Sequence, residues 1–258
     1  MSLRRRDILI AAGLVGATIA LPRLANLFRP EFTFEPIPGL PGFRRISGQA
    51  QSSAPPVFSG IEPVDARDIQ RRRDVASDPC GAAFGSQRWP DGHVPVAVFT
   101  DYNCPYCPAL SAIVIDLITS GAPVSVTWHD LPVLGPRSEA AARAAIAADA
   151  QGRYLPVHEH LMRAVLRPGS QALRSLAERF DLDADRFLRD EAGPETRERL
   201  AHSDAVAKSF GIFGTPSMLV GRTLVIGQID RDRFESLIAI EQELGMMPCG
   251  SPGGVGAG

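Results

Sequence analysis

Short apolar runs alternate with amphipathic helical stripes along the middle of the chain. Residues 94–99 form a nearly continuous apolar run rich in β-branched side chains, which is typical of a strand buried on both faces. Apolar side chains then recur at helical spacing from Leu110 to Ile118, and Gly121 ends the stripe. From Val124 onward apolar and polar residues alternate, which predicts a second strand. Because a helix crosses between the two strands, we expect them to be parallel.

The second half of this region predicts a helical insertion followed by a hairpin. Five helices are expected between residues 138 and 210, where the pattern is helical throughout. Two short apolar strands follow at 217–220 and 223–226, joined by Gly221-Arg222, a loop that suits a tight hairpin. One more amphipathic helix comes after them. The order β-α-β, helices, β-β-α predicts the α/β class, as a thioredoxin fold with an inserted all-helical subdomain.

The two ends of the chain differ in composition from this middle part. Residues 1–28 place Arg4-Arg5-Arg6 ahead of an apolar run. We expect them to be a signal sequence for the Sec or twin-arginine route, with an uncleaved anchor in the inner membrane as the alternative. The other expected segments are a Pro/Gly-rich linker and lead-in segment at 29–90, the folded domain at 91–245 with its helical insertion at about 137–210, and a flexible tail at 246–258.

Composition and charge narrow the class of protein. With 258 residues, 45% of them hydrophobic and 22% charged, the chain has the composition of an ordinary globular protein. Its formal net charge of -2 gives no electrostatic reason to expect nucleic-acid binding. Export would place the protein in the periplasm, an oxidising compartment where disulfides persist. The cysteines are therefore expected to be paired or catalytic.

The motif Cys104-Pro105-Tyr106-Cys107 lies between the buried strand and the amphipathic helix, a context that favours redox chemistry. We expect Cys104 at the helix N-cap, where unpaired backbone N–H groups and the helix dipole would lower its pKa from about 8.5. Cys104 is then the exposed attacking thiol, and Cys107, one turn further on and covered, is the resolving thiol. Pro108 cannot donate to the carbonyl of Cys104, so a distorted or displaced helix start is expected.

An inert local disulfide and half of a zinc site are the alternatives for this cysteine pair. A zinc site needs two further ligands, and His158 and His160 are spaced so that they do not share a helix face. We therefore expect no metal and no cofactor. Cys80 and Cys249 are expected to form a structural disulfide, worth roughly 5 kcal/mol at most in the chain-entropy model. Two unpaired thiols and an intermolecular link are the alternatives.

The segment 99–107, Phe-Thr-Asp-Tyr-Asn-Cys-Pro-Tyr-Cys, together with Gly214-Thr215-Pro216, resembles the DsbA-like family of bacterial thiol–disulfide oxidoreductases. The resemblance covers roughly residues 94–244. It implies that the dithiol motif is the redox centre and that the proline of the second segment has a cis peptide bond facing the two sulfurs. Residues 128–135 are similar to the family's junction between strand and insertion, and within them Asp130 is expected to be structural.

Further residues near the motif are expected to support the redox centre: Pro105, Tyr106, Thr215, Pro216 and Asp101. A hydrogen bond from the hydroxyl of Thr215 would stabilise the thiolate. Asp101 is expected either to tune the thiol as a charge or proton carrier or to order the loop at the end of the strand. The backbone before Pro216 can pair with an extended substrate by strand addition.

These observations predict an exported dithiol oxidase that introduces disulfides into exported proteins with cysteines and is reoxidised by a membrane redox partner. A disulfide reductase or isomerase would use the same residues and is the first alternative. A non-catalytic copper(I)-handling or substrate-holding protein is the second, since soft thiolates also bind copper(I). That alternative needs methionine or histidine ligands near the motif, and the sequence places none there.

Overall fold

The computed structural model describes residues 31–47, 52–53, 65–85 and 89–245. The expected signal sequence and tail lie outside these ranges. The elements below all belong to the compact unit that begins at Thr33. Among the described helices, none combines the length and the apolar character that a membrane crossing requires.

The elements follow one another in an order close to the predicted one. The strands are β1 (Glu35–Pro36), β2 (Arg44–Ser47), β3 (Ser52–Ser53), β4 (Val94–Thr100), β5 (Val124–Asp130), β6 (Gly214–Thr215), β7 (Ser217–Val220) and β8 (Thr223–Ile226). The helices are α1 (Ala66–Ser77), α2 (Pro79–Phe84), α3 (Cys107–Thr119), α4 (Pro136–Asp149), α5 (Tyr154–Leu161), α6 (Ser170–Arg179), α7 (Ala184–Glu191), α8 (Pro194–Phe210) and α9 (Arg231–Leu244).

The main sheet has the strand order β1-β2-β8-β7-β4-β5. Every residue of β4 is buried, as its continuous apolar sequence predicts. β4 pairs in parallel with β5, and the helix α3 lies between them in the chain, so the predicted βαβ unit is confirmed. On its other side β4 pairs antiparallel with β7, which forms the predicted hairpin with β8. Gly221 in that hairpin has φ +54°, a conformation that glycine adopts without strain.

The helices α4 to α8 follow β5 and precede β6, which confirms the α/β fold class with an all-helical insertion. The first of them is rich in buried alanines, which let neighbouring helices approach its backbone closely. Those alanines share one hydrophobic cluster with both motif cysteines. The insertion and the dithiol motif therefore share one core.

The stretch 29–90, expected to be a linker and lead-in segment, contains folded elements. Ile37, Leu40 and Phe43 are buried, and the ring of Phe43 meets the ring of Phe210 edge-on at 5.1 Å. The strand β2 joins the main sheet beside β8. The prolines do not prevent this, because Pro36 lies in β1 at the edge of the sheet, where a missing N–H is tolerated.

Candidate active site

The motif occupies the turn that leads from β4 into α3, and the helix begins later than the sequence predicted. The first helical residue is Cys107, and Tyr106 rather than Cys104 is the N-cap residue, so the expected N-cap position of Cys104 is wrong. The amide of Cys107 donates to the carbonyl oxygen of Cys104 at 3.3 Å and closes a tight turn there. Pro108 has no N–H to extend the helix back to that carbonyl, which accounts for the displaced start.

Both sulfurs are buried, which differs from the expected exposed Cys104. The exposed fraction is 2% for Cys104 and 1% for Cys107, so exposure does not separate the two thiols. The loop of β6 covers the first of them: the Sγ of Cys104 donates to the carbonyl oxygen of Thr215 at 3.3 Å. The Thr215–Pro216 bond is cis, as the resemblance implied.

Acidity distinguishes the two thiols. A hydrogen bond from the thiol of Cys107 is the main cause that lowers the pKa of Cys104 to about 6. The side chain of Thr215 and the backbone N–H groups of Tyr106 and Cys107 act in the same direction, against burial. Burial and the neighbouring Cys104 raise the pKa of Cys107. At neutral pH the pair therefore consists of a thiolate at Cys104 and a thiol at Cys107.

Thr215 has a hydroxyl that is buried near the motif cysteines. Within the described part of the chain, its Oγ1 atom has no hydrogen-bond partner. Its contribution to the low pKa of Cys104 comes from donation to the ionised sulfur. A buried hydroxyl without a partner destabilises the folded protein, and a thiolate at Cys104 would supply the missing acceptor.

Asp101 orders the loop between β4 and the motif. Its carboxylate, 1% exposed, accepts from the backbone N–H of Asn103 at 2.8 Å and of Leu134 at 3.0 Å. The side chain of Asn103 then donates to Ser138 Oγ at 2.9 Å, at the start of α4. This geometry fits the second of the two expected roles for Asp101.

The surface next to the sulfurs combines exposed and covered features. Pro105 is exposed and Tyr106 is half-buried. Phe213, just before β6, is 65% exposed. The backbone edge of β6 is paired antiparallel with β3, with Ser52 opposite Thr215. The edge that the sequence assigned to an extended substrate is therefore occupied by another part of this chain.

A buried polar cluster behind the motif was not predicted. The hydroxyl of Tyr102 donates to Asp130 Oδ1 at 2.8 Å and lies 3.0 Å from His158 Nδ1. Tyr154 also donates to Asp130 Oδ1, at 3.1 Å, and His158 Nε2 lies 3.1 Å from Ser111 Oγ. The spacing of these residues follows no local pattern, and the sequence marked Asp130, the last residue of β5, only as a structural residue.

Cys80 is buried in α2, with 6% of its surface exposed. Its expected partner, Cys249, lies outside the described residues. The Cys80–Cys249 disulfide therefore stays a prediction.

Known proteins show which family this chain resembles. Residues 95–239, more than half of the chain, match the model of the DSBA-like thioredoxin domain. A thioredoxin-like oxidoreductase from Silicibacter pomeroyi DSS-3 is 33% identical, with a TM-score of 0.55 over 63% of this chain and 97% of that one. The thiol–disulfide exchange protein alpha-DsbA2 from Wolbachia pipientis is 21% identical, with a TM-score of 0.57 over 71% of this chain and 100% of that one. At that identity the second likeness shows the fold alone.

A curated relative is much longer than the matched region. The Na(+)/H(+) antiporter NhaA 1 of Salinispora arenicola is 34% identical over 131 residues, which cover 49% of this chain and 20% of the antiporter. The matched part thus spans about a fifth of that relative's length.

Proposed function

We propose that this chain, which belongs to the DsbA-like thioredoxin family of thiol–disulfide oxidoreductases, is a dithiol oxidase that gives its disulfide to exported proteins. The match to the family model confirms the family, the fold class and the enzyme class that the sequence predicted. The proposal concerns the direction of exchange, that is, whether the enzyme oxidises or reduces its substrates. The observation that carries it is the setting of Cys104, where the thiol of Cys107, the side chain of Thr215 and the backbone N–H groups of Tyr106 and Cys107 can stabilise a thiolate. A thiolate that is stabilised at Cys104 favours the reduced form of the enzyme, and a couple whose reduced form is favoured is a stronger oxidant.

The exchange proceeds in two balanced steps. A substrate thiolate attacks Cys104 Sγ of the enzyme disulfide, the S–S bond breaks, and its electron pair leaves on Cys107. That sulfur takes up a proton, because burial raises the pKa of Cys107. A second substrate thiolate then attacks the substrate sulfur of the mixed disulfide, and Cys104 leaves as a thiolate. Its pKa of about 6 makes it a good leaving group at neutral pH.

The substrate is proposed to dock as an extended segment along β6, beside the sulfurs. Strand addition there would supply main-chain hydrogen bonds that do not depend on the substrate's sequence, which suits an enzyme that serves many proteins. Because β3 is paired with this edge, the substrate has to take its place. The exposed ring of Phe213 offers an apolar contact next to the same edge.

The proposed setting is the periplasm, reached by the Sec or twin-arginine route. Support comes from Arg4-Arg5-Arg6 followed by an apolar run, and from the chemistry, since a dithiol oxidase is useful where disulfides persist. A membrane redox partner is proposed to accept the two electrons that the enzyme gains in each cycle.

The direction is tested by the redox potential of the Cys104/Cys107 couple, measured at equilibrium with glutathione. An oxidase should lie nearer to about -120 mV, the value of a strong dithiol oxidant, than to about -270 mV, the value of thioredoxin. A value at the thioredoxin end would overturn the proposal in favour of a reductase. Rapid rearrangement of a substrate with wrongly paired disulfides would favour an isomerase.

A further inference from the structure

A chain of three hydrogen bonds leads from a buried carboxyl group to the helix that carries Cys107. It begins at Asp130, passes through the hydroxyl of Tyr102 and the ring of His158, and ends at the hydroxyl of Ser111. The three heavy-atom distances are 2.8, 3.0 and 3.1 Å. All four residues are buried, with Tyr102 the most exposed at 7%.

This row of hydrogen bonds reaches the dithiol motif from both sides. Tyr102 lies in the turn just before Cys104, and Ser111 lies one helical turn after Cys107 on the same buried face of α3. His158 belongs to α5 of the insertion. One imidazole ring therefore holds the two flanks of the motif from a third element.

The histidine can hold both flanks in two ways. Burial lowers the pKa of His158 to about 3, so the ring is neutral at neutral pH and has one donor nitrogen and one acceptor nitrogen. When Asp130 is ionised, Tyr102 donates to it, His158 Nδ1–H donates to Tyr102, and Ser111 donates to Nε2. When Asp130 carries a proton on Oδ1, it donates to Tyr102, Tyr102 donates to Nδ1, and Nε2–H donates to Ser111.

We propose that His158 is a positioning residue for the dithiol pair, and that protonation of Asp130 reverses the three hydrogen bonds through which it holds the motif. The inference rests on the proposed function only in taking Cys104 and Cys107 as the reactive pair. The hydrogen bond that most lowers the pKa of Cys104 comes from Cys107. Its geometry depends on how firmly both ends of the motif are held.

The groups around Asp130 set the pH at which the reversal occurs. Tyr102 and Tyr154 donate to the carboxylate, and the ion pair of Arg199 in α8 with Asp149 in α4 faces it from the insertion. Burial is the main cause that raises the pKa of Asp130 to about 6, against the hydrogen bond from Tyr102 and the charge of Arg199. Its Oδ2 atom has no hydrogen-bond partner among the residues that the structure describes, which leaves the charge poorly compensated.

The positioning role is tested through the acidity of Cys104, measured in the reduced protein from the ultraviolet absorbance of the thiolate against pH. Ser111→Ala removes the last of the three hydrogen bonds and should raise the pKa of Cys104 by about half a unit, because the flank of the motif that this bond holds is released. Ser203→Ala is the matched control, because Ser203 is also a buried serine and lies 3.3 Å from the other buried histidine, His129. Equal shifts in the two variants, or no shift in Ser111→Ala, would overturn the role.

A second pair of variants distinguishes the hydrogen bonds that run through His158 from the other hydrogen bond to Asp130. Tyr102→Phe interrupts the chain, whereas Tyr154→Phe removes a bond to the same carboxylate outside it. Only the first should raise the pKa of Cys104. A larger effect from Tyr154→Phe would show that the carboxylate acts by its charge and not through the histidine.

The reversal is tested by nitrogen NMR of the histidine rings in the unmodified protein. His158 should carry its proton on Nδ1 above a pH of about 6 and on Nε2 below it. His129 is an internal control, because its Nε2 lies 2.8 Å from the carbonyl oxygen of Ala83 and must always donate. In Asp130→Asn the change at His158 should disappear.

One tautomer of His158 throughout the pH range in the unmodified protein, or a change that survives in Asp130→Asn, would overturn the reversal. Both experiments use reduced protein without substrate. Their outcome is therefore independent of whether the enzyme works as an oxidase, and a failure here is distinguishable from a failure of the proposed function.

Discussion

The redox potential of the Cys104/Cys107 couple should change its slope with pH near 6. Reduction takes up two electrons and, when both sulfurs end as thiols, two protons, so the potential falls by about 59 mV per pH unit. Above the pKa of Cys104, about 6, the reduced enzyme binds only one of those protons. The slope should then fall to about 30 mV per pH unit and stay there, because burial raises the pKa of Cys107.

The size of the effect follows from the same pKa. At pH 7, ionisation of a thiol with a pKa of about 6 stabilises the reduced protein by about 1.4 kcal/mol, which raises the potential by about 30 mV. Because the folded-state pKa is lowered, this stabilisation is present at neutral pH and is lost as the pH falls through about 6. Removing one hydrogen-bond donor to the thiolate should therefore lower the potential at pH 7.

Thr215→Val provides that change, since it removes the hydroxyl and keeps the shape of the side chain. If the lost bond raises the pKa of Cys104 by about one unit, the potential at pH 7 falls by about 20 mV and the change of slope moves upward in pH. Thr100→Val is the matched control, because the hydroxyl of Thr100 is buried nearby and contacts Met162 Sδ at 4.0 Å, not the thiols.

The assay equilibrates each protein with glutathione buffers across the pH range and counts free thiols by alkylation. A single slope of about 59 mV per unit throughout would refute the low pKa of Cys104. If the slope of the potential changes at the same pH in Thr215→Val as in the unmodified protein, or if Thr100→Val shifts that pH equally, the contribution of the Thr215 hydroxyl is refuted.

Three further results are expected. Cys107→Ala should trap mixed disulfides with substrates and raise the pKa of Cys104, because the main hydrogen bond to that sulfur is lost; trapping by Cys104→Ala instead would reverse the assigned roles. Ser52→Pro should weaken the pairing of β3 with β6 and increase kcat/KM for a dithiol peptide severalfold without changing the reaction with glutathione; equal rates with the peptide would argue against competition. Peptide mapping of the non-reduced protein should join Cys80 to Cys249, and alkylation of either would count against that bridge.

Local periodicity was enough to predict the central part of the fold. The apolar run at 94–99 is that of a strand buried on both faces, and the stripe from Leu110 to Ile118 is that of a helix buried on one face. Each pattern lies within one segment, so each element can be predicted from its own sequence. Pro108 correctly indicated a disturbed helix start. The position of that start was wrong because the turn also depends on a hydrogen bond from Cys107 to the Cys104 carbonyl, which competes with the first helical turn.

Other features depend on contacts between distant segments, which a single sequence does not display. Burial of Cys104 requires the loop at Thr215, which lies 111 positions further along the chain. The proline content of 29–90 suggested an extended linker, yet Phe43 and its apolar neighbours find a place on the core next to α8. Composition averages over a segment, whereas burial depends on individual side chains such as those at 37, 40 and 43.

The insertion contributes to the redox centre as well as covering it. Apolar contacts between its alanines and the motif allow sliding, because they have little directional preference. The two hydrogen bonds of His158 do not, since both ring nitrogens and the hydroxyl of Ser111 are buried, and a buried polar group that loses its partner costs about 1 to 3 kcal/mol. A shift of α5 therefore has to move both flanks of the dithiol motif or leave a polar group unpaired. For that reason the acidity of Cys104 should respond to substitutions in the helical insertion, at a distance in sequence from either cysteine.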